Sequence, residues 1–316
     1  MKEIGGYLEL DNYHLPMFHE GAVALNSGRH CLAYLIEAKG IKSLLMPKYI
    51  CDTVTDTAQK YGADIRYYSV DYNFEPADDL VLKDGEWLYL INFYDQFDNS
   101  YYENMVSKYN RVIVDQTHSY FSEPVQGADC IYTCRKYFGV SDGAFLYTDK
   151  MMSREIPVDE SYDRMRFVLG RYERSAGEFF KDASSNNSFF DNEPIKRMSR
   201  LTANLLHALD YEGIKRKRIE NFGFLHTELG NENQLAIKNT SATFMYPMLL
   251  TDGEAIRKKM HELKIFVPTL WPDVLERCGT DTVENDLARN ILPLPIDQRY
   301  DLEDMSFIVK SIKSFI

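Results

Sequence analysis

An α/β fold, with a mostly parallel sheet in a large domain and a smaller C-terminal α+β domain, is what the sequence predicts. Three features of the pattern point there. In the first half, short apolar runs alternate with segments of helical period, as strands do when helices cover both faces of their sheet. From about residue 160 the apolar spacing turns helical. Beyond residue 240 a strand-like run returns between helices, the make-up of a small mixed domain. The large domain is expected over residues 1–210 and the small one over 211–316.

The first helix is expected over 28–39, where Leu32, Leu35 and Ile36 share one face, and two more over 52–61 and 101–109. Strands are expected at 43–47 (SLLMP), 64–70, 86–93, 111–115 (RVIVD), 130–133 (CIYT) and 144–148, runs of strand length rich in β-branched and aromatic residues. Ile195, Met198, Leu201, Leu205 and Leu209 then recur at helical spacing. The basic run after them, Lys215 to Arg218, spreads around a helix, so most of it is expected to be solvated, contact with a nucleotide diphosphate being the lesser alternative. The polar DASSNNSFFDN at 182–192 reads as a loop. In the tail, 244–250 reads as a strand, Asp252 opens a helix, KIFVP forms a short segment at 264–268, and an amphipathic helix begins near Asp301.

Composition narrows the function classes. A net charge of −12 argues against a broad basic face for nucleic acid, though it leaves room for a local basic pocket holding a small anion. Hydrophobic residues at 45% and charged ones at 27% are ordinary for a soluble globular chain. The start has no apolar leader core and no run reaches transmembrane length, so a cytoplasmic protein without a membrane partner is expected. Cys130 and Cys134 lack a second Cys/His pair, and the histidines show no ligand spacing. Reduced thiols and no metal are expected. Neither a G-x-G-x-x-G nor a P-loop motif occurs.

Chemistry concentrates in three places. Asn26-Ser27-Gly28 lies between an apolar run and a helix, where a hydroxyl is either an N-cap or part of a phosphate site at the positive end of the helix dipole. Asp115 ends a buried strand, and a carboxylate there is either a structural partner or the group that keeps a pyridine nitrogen protonated. His118 follows three residues later. Lys136 comes after an apolar run and before Gly139 and Gly143; it is either a surface lysine or an amine with a lowered pKa, able to form a Schiff base. Thr133, three residues before it, can direct a hydroxyl to the same phosphate as Ser27.

Phosphate turn, strand-end acid, then Thr-x-x-Lys is an order that resembles the DegT/DnrJ/StrS-type sugar aminotransferases, enzymes of the type I pyridoxal phosphate (PLP) fold. The matching stretches are ALNSGR (24–29), LLMPKYICDTV (44–54), VIVDQTHS (112–119), 128–148 and ILPLPIDQRY (291–300). The resemblance implies pyridoxal 5′-phosphate as cofactor, Lys136 as the lysine that bonds it and shuttles the proton, Asp115 as the partner of the pyridine nitrogen, and His118 beside the ring. It implies Ser27, Gly28, Arg29 and Thr133 around the phosphate, with Tyr49 or Cys51 stacked on the ring. It further implies an amino acid donor such as glutamate, a keto sugar acceptor, free or nucleotide-linked, and a homodimer. The segment expected to supply a partner-subunit asparagine is reduced to IKRMSRL (195–201), leaving Asn186 and Asn187 as substitutes. Another PLP reaction on the same fold, or a non-catalytic sugar- or partner-binding descendant, stays open. Trp271 belongs either to a substrate wall or to the core of the small domain.

Overall fold

The computed structural model describes residues 4–239 and 241–316. The first half folds, in chain order, into β1 (Val23–Leu25), α1 (Gly28–Lys39), β2 (Ser43–Pro47), α2 (Asp52–Lys60), β3 (Asp64–Tyr68), β4 (Trp87–Ile91), α3 (Asn99–Tyr109), β5 (Val112–Asp115), β6 (Asp129–Thr133) and β7 (Ala144–Tyr147). These strands form one seven-stranded sheet in the order β1-β7-β6-β5-β4-β2-β3. From β3 to β6 across the sheet the pairing is parallel, and β7 runs antiparallel between β6 and β1. The reversal follows from chain length, because the link 134–143 is too short for a crossover to a parallel neighbour. Every residue of β5 and β6 is buried, which is why both read as continuous apolar runs.

This topology gathers the chemistry on one rim. Asp115 is the last residue of β5 and Thr133 the last of β6, at the carboxyl ends where open α/β sheets bind ligands. Because β7 is reversed, its first residue, Ala144, pairs with both Thr133 and Leu25. Ser27, two residues past β1, therefore lies on that same rim, as does Tyr49, two residues past β2.

The second half adds α4 (Arg166–Glu173), α5 (Phe180–Asn192), α6 (Arg200–Leu206), α7 (Tyr211–Leu229), β8 (Tyr246–Leu249), α8 (Gly253–Glu262), α9 (Pro272–Arg277), α10 (Val283–Asn290), β9 (Ile291–Leu294) and α11 (Leu302–Lys313). β8 and β9 pair antiparallel, with Pro247 facing Pro293, which a two-stranded sheet tolerates because each strand keeps a free edge. A second core joins Phe222 and Leu225 of α7, Met260 of α8, Leu292 of β9, and Met305 and Ile312 of α11. Val274 of α9 and Leu287 of α10 pack instead with the core of the large sheet. None of the described helices is long and apolar enough to cross a membrane.

One expectation needs correcting, and another holds for all but one residue. The stretch 182–192 is part of helix α5, not a loop. Its low propensity is overridden by packing: Phe190 is buried beneath the guanidinium of Arg135 at 4.7 Å and that of Arg164 at 5.3 Å, while Arg164 also covers Phe189 at 4.0 Å. Within the basic run, Arg216 is exposed but Arg218 is fully buried. It donates to the carbonyls of Thr243 (2.9 Å), Phe244 (3.3 Å) and Tyr137 (3.5 Å) and to Gln298 Oε1 (3.1 Å). Charge patterning along one helix carries no sign of such distant carbonyls.

Candidate active site

The β5 rim is the anchor. Asp115 is buried, and its two carboxylate oxygens each accept one bond, from the Tyr89 hydroxyl at 2.7 Å and from the Thr117 backbone N–H at 2.8 Å. Thr117 faces both ways, because its hydroxyl accepts from the Lys136 ammonium at 3.1 Å. Acid and amine are thus joined through one threonine. Burial pulls the Lys136 pKa down to about 8 and the Arg135 charge adds to this, while the charges of Asp115 and Cys51 oppose it. Near neutrality a useful fraction of that amine is unprotonated, as nucleophilic and proton-transfer chemistry requires.

His118 is buried, and both of its ring nitrogens lack a hydrogen-bond partner. Burial, reinforced by the Lys136 charge, holds its pKa well below the usual imidazole range, so the ring is neutral. Its faces meet Trp271 (centroids 5.9 Å apart, planes at 28°) and Phe244 (5.3 Å, 32°), and Phe244 also lies 5.4 Å from the Lys136 nitrogen. The His118 carbonyl accepts from the Phe244 N–H (3.1 Å) and the Thr243 hydroxyl (3.0 Å), tying the strand end to the second half of the chain. Trp271 is therefore a wall of this site, packed with the large-sheet core.

At the other end of the rim, Ser27 caps α1, its hydroxyl accepting from the His30 N–H at 3.3 Å. Capping leaves the first N–H groups of the helix, those of Gly28 and Arg29, without intrahelical acceptors. A methyl at Gly28 would touch Thr117 at 3.6 Å and Thr133 at 3.9 Å, which places this turn against both. Arg29 pairs with Asp191 and also donates to Asn187 Oδ1 at 3.3 Å. The turn and the lysine segment are laced by main chain: the Gly143 N–H donates to the Asn26 carbonyl (2.7 Å) and the Cys134 N–H to the Gly143 carbonyl (3.0 Å). Buried Asp142 accepts from the Ser199 N–H (2.8 Å), the Ser199 hydroxyl (2.8 Å) and the Thr202 hydroxyl, which fixes α6 behind this turn.

Lys136, Asp115, His118, Thr133, Ser27, Gly28 and Arg29 thus share one rim. Tyr49 is buried in a cluster with Phe93 (5.3 Å) and Trp271 (5.2 Å), while half-buried Cys51 is close enough to act on the Lys136 charge. Three contributors escaped the sequence reading. Thr117 carries a local signal, a hydroxyl between two residues already singled out; Phe244 and Arg218 are distant in sequence and carry none.

The residue types on the rim fit PLP. A buried acid, a neutral imidazole with orphaned nitrogens, a lysine of lowered pKa and guanidinium groups at a helix N-terminus form a donor set for a protonated heteroaromatic ring bearing an aldehyde and a phosphate.

No family model matches the chain, and no curated protein matches it. Solved structures do. The sugar aminotransferase CalS13 from Micromonospora echinospora matches with a TM-score of 0.60 at 17% identity, over 93% of this chain and 87% of that one. The sugar aminotransferase Spr1654 from Streptococcus pneumoniae, in its PLP form, matches with a TM-score of 0.67 at 12% identity, over 93% and 86%. A DegT DnrJ EryC1 StrS aminotransferase from Brucella abortus matches with a TM-score of 0.63 at 12% identity, over 94% and 86%. At such identities the likeness speaks for architecture, and over nearly its whole length this chain has the fold of the DegT/DnrJ/EryC1/StrS-type sugar aminotransferases.

Proposed function

We propose that this protein is a PLP-dependent aminotransferase that moves an amino group from an amino acid, glutamate by preference, to a keto sugar. The observation that carries the reading is the Asp115–Thr117–Lys136 chain of hydrogen bonds on a rim whose fold is shared with sugar aminotransferases solved in PLP and pyridoxamine phosphate forms. Bound there, PLP supplies an aldehyde that carries the amino group and a ring that takes up electrons from the substrate carbon.

The rest is the work of the chain. Asp115, its geometry fixed by Tyr89 and Thr117, holds a proton on the pyridine nitrogen. Lys136 Nζ takes the proton from the donor's α-carbon and, in the second half-reaction, delivers one to the acceptor's carbon. The Thr117 hydroxyl keeps that nitrogen within reach of the site between transfers. His118, neutral, has one N–H to donate and one lone pair to accept, and Trp271 and Phe244 keep water from its faces. A nucleotide-linked sugar and a place in glycan biosynthesis are part of the proposal, and loss of an amino sugar from the glycans of a deletion strain is its expected consequence.

The deciding experiment is the absorption spectrum of the protein with PLP, for wild type and Lys136→Ala, before and after glutamate. A band near the visible edge that needs Lys136 and bleaches with glutamate is expected. A band that ignores every amino acid overturns the aminotransferase reading in favour of another PLP reaction. No band at all overturns the enzyme.

We also propose a homodimer. Helix α4 buries none of its residues, and Leu169 and Tyr172 on it, with Phe180 at the start of α5, are 60%, 92% and 73% exposed. Large apolar side chains left this exposed are what a second copy would cover.

A further inference from the structure

Helix α8 meets α9, α10 and the chain just ahead of Trp271 around a cavity of about 280 Å³. That volume lies just under the range of drug-sized sites, about 300–1,000 Å³, and suits a small ion or ester. Arg257, Lys258, His261 and Arg289 line it, and Glu254 is the single carboxylate lining it among the described residues. Glu254 is already shared, accepting from Lys258 at 3.0 Å and from Arg289 at 2.7 Å. Arg257 is left without a counter-charge of its own. It is 6% exposed, its buried Nε has no partner, and a terminal nitrogen donates to a neutral acceptor, the Ile291 carbonyl, at 2.6 Å. A buried guanidinium in that position is costly. Burial lowers its pKa, against the opposing effects of Tyr94, Glu254 and Tyr49. Thr269 adds a hydroxyl to the cavity wall, and His261 Nε2 donates to the Val267 carbonyl at 2.9 Å, holding that wall against α8.

We propose that this cavity binds a phosphate group, free or carried by a small metabolite, with Arg257 as its floor and Lys258 and Arg289 at its mouth. Three cations against one carboxylate leave an excess of positive charge that a dianion balances, and the orphaned Nε–H of Arg257 is a buried donor that a phosphate oxygen satisfies. The site is separate from the rim, because its lining comes from 254–289 alone and includes none of Ser27, Asp115, His118 or Lys136. It does not rest on the proposed function. It does reach the wall of the active site from behind. The Arg257 charge acts on the hydroxyls of Tyr49 and Tyr94, the Tyr49 ring lies 5.2 Å from that of Trp271, and the Tyr94 ring lies 5.3 Å from that of His118. Trp271 also caps α9, whose Leu275 lines the cavity. A dianion bound here offsets the Arg257 charge felt by the two phenols and braces α8, whose Ile256 and Met260 pack in the small core, against α9 and α10, whose Val274 and Leu287 pack in the core of the large sheet. Phosphate binding is thereby coupled to the packing of Trp271.

The test titrates inorganic phosphate, glycerol 3-phosphate and succinate into the full-length protein by calorimetry at constant ionic strength, for wild type, Arg257→Gln, Arg289→Gln and Arg216→Gln, with thermal melts reporting the fold. Phosphate taken up on the rim is common to all four proteins, so loss with Arg257 or Arg289 isolates the cavity. Arg257→Gln is expected to weaken the phosphate species about tenfold or more and Arg289→Gln about threefold or more, while Arg216→Gln, exposed on α7, stays within about twofold. Arg289 is only half-buried, so its variant decides the matter if Arg257→Gln fails to fold. Arginine-dependent binding of either phosphate species upholds the site, and the tighter of the two names the source. Succinate binding as tight as phosphate overturns the phosphate assignment. No binding, or binding that ignores both arginines, overturns the site. In a Trp87→Phe background Trp271 is the one tryptophan, and its emission is expected to shift on phosphate binding with a change that Arg257→Gln or Arg289→Gln abolishes. Emission that stays fixed at saturating phosphate overturns the coupling to the wall.

Discussion

In the proposed function Lys136 sets the pH at which the protein takes up PLP, because only the neutral amine attacks an aldehyde. With its pKa lowered to about 8, chiefly by burial, the neutral fraction rises as pH rises through that value and levels off above it. The rate of PLP capture in rapid mixing is expected to follow that curve; an ordinary lysine would still be gaining rate beyond pH 10. Asp115→Asn keeps the shape but loses the charge that, in the proposed function, holds a proton on the pyridine nitrogen. A fall of about 100-fold or more in the glutamate half-reaction is expected, measured by single-turnover bleaching. These two residues were legible because they sit at the ends of apolar runs in one short stretch, 111–136, where a charge needs a reason. His118 was legible only through its nearness to Asp115. Its neutrality was not, since the rings of Trp271 and Phe244 that bury it come from distant parts of the chain.

The elements that hold the site make their own predictions. Arg218 of α7 binds the carbonyls of Thr243 and Phe244, the two residues that tie down the His118 carbonyl, and shares the Tyr137 carbonyl with Gln298 (2.8 Å). Arg218→Met leaves the first two carbonyls buried without that donor, partly offset by removing a desolvated charge. A loss of about 2 kcal/mol is expected by denaturant titration, with weakened PLP retention. Gly143 has φ +111°, and a methyl there would sit 2.9 Å from the Thr202 side chain and 3.2 Å from Cys134. Gly143→Ala is expected to cost about 1–3 kcal/mol and to loosen the turn after Lys136. At this scale the sequence was readable where period and packing agree, as in α1 over 28–39 and β2 over 43–47. Helix α5 was not readable, because its serines and asparagines favour turns and its phenylalanines are held by side chains from elsewhere in the fold, Arg135, Arg164, Lys196 and His30.

For the molecule as a whole, sedimentation is expected to give a dimer, and replacing Leu169 and Tyr172 by Glu is expected to give a monomer with unchanged helix content. A wild-type monomer that nevertheless converts glutamate would overturn the dimer. The alternation of strands and helices, visible in the sequence, is enough to place ligands at strand carboxyl ends. The reversed β7 and the short β1 were beyond it, since pairing direction there depends on a connection too short to cross over. The lacing of Asn26, Gly143 and Cys134 has a last consequence. The span from the helix N-terminus to the lysine is held by amide and carbonyl groups that nearly every amino acid possesses. Most side chains flanking these bonds can therefore change without breaking them, Gly143 with its positive φ being the exception.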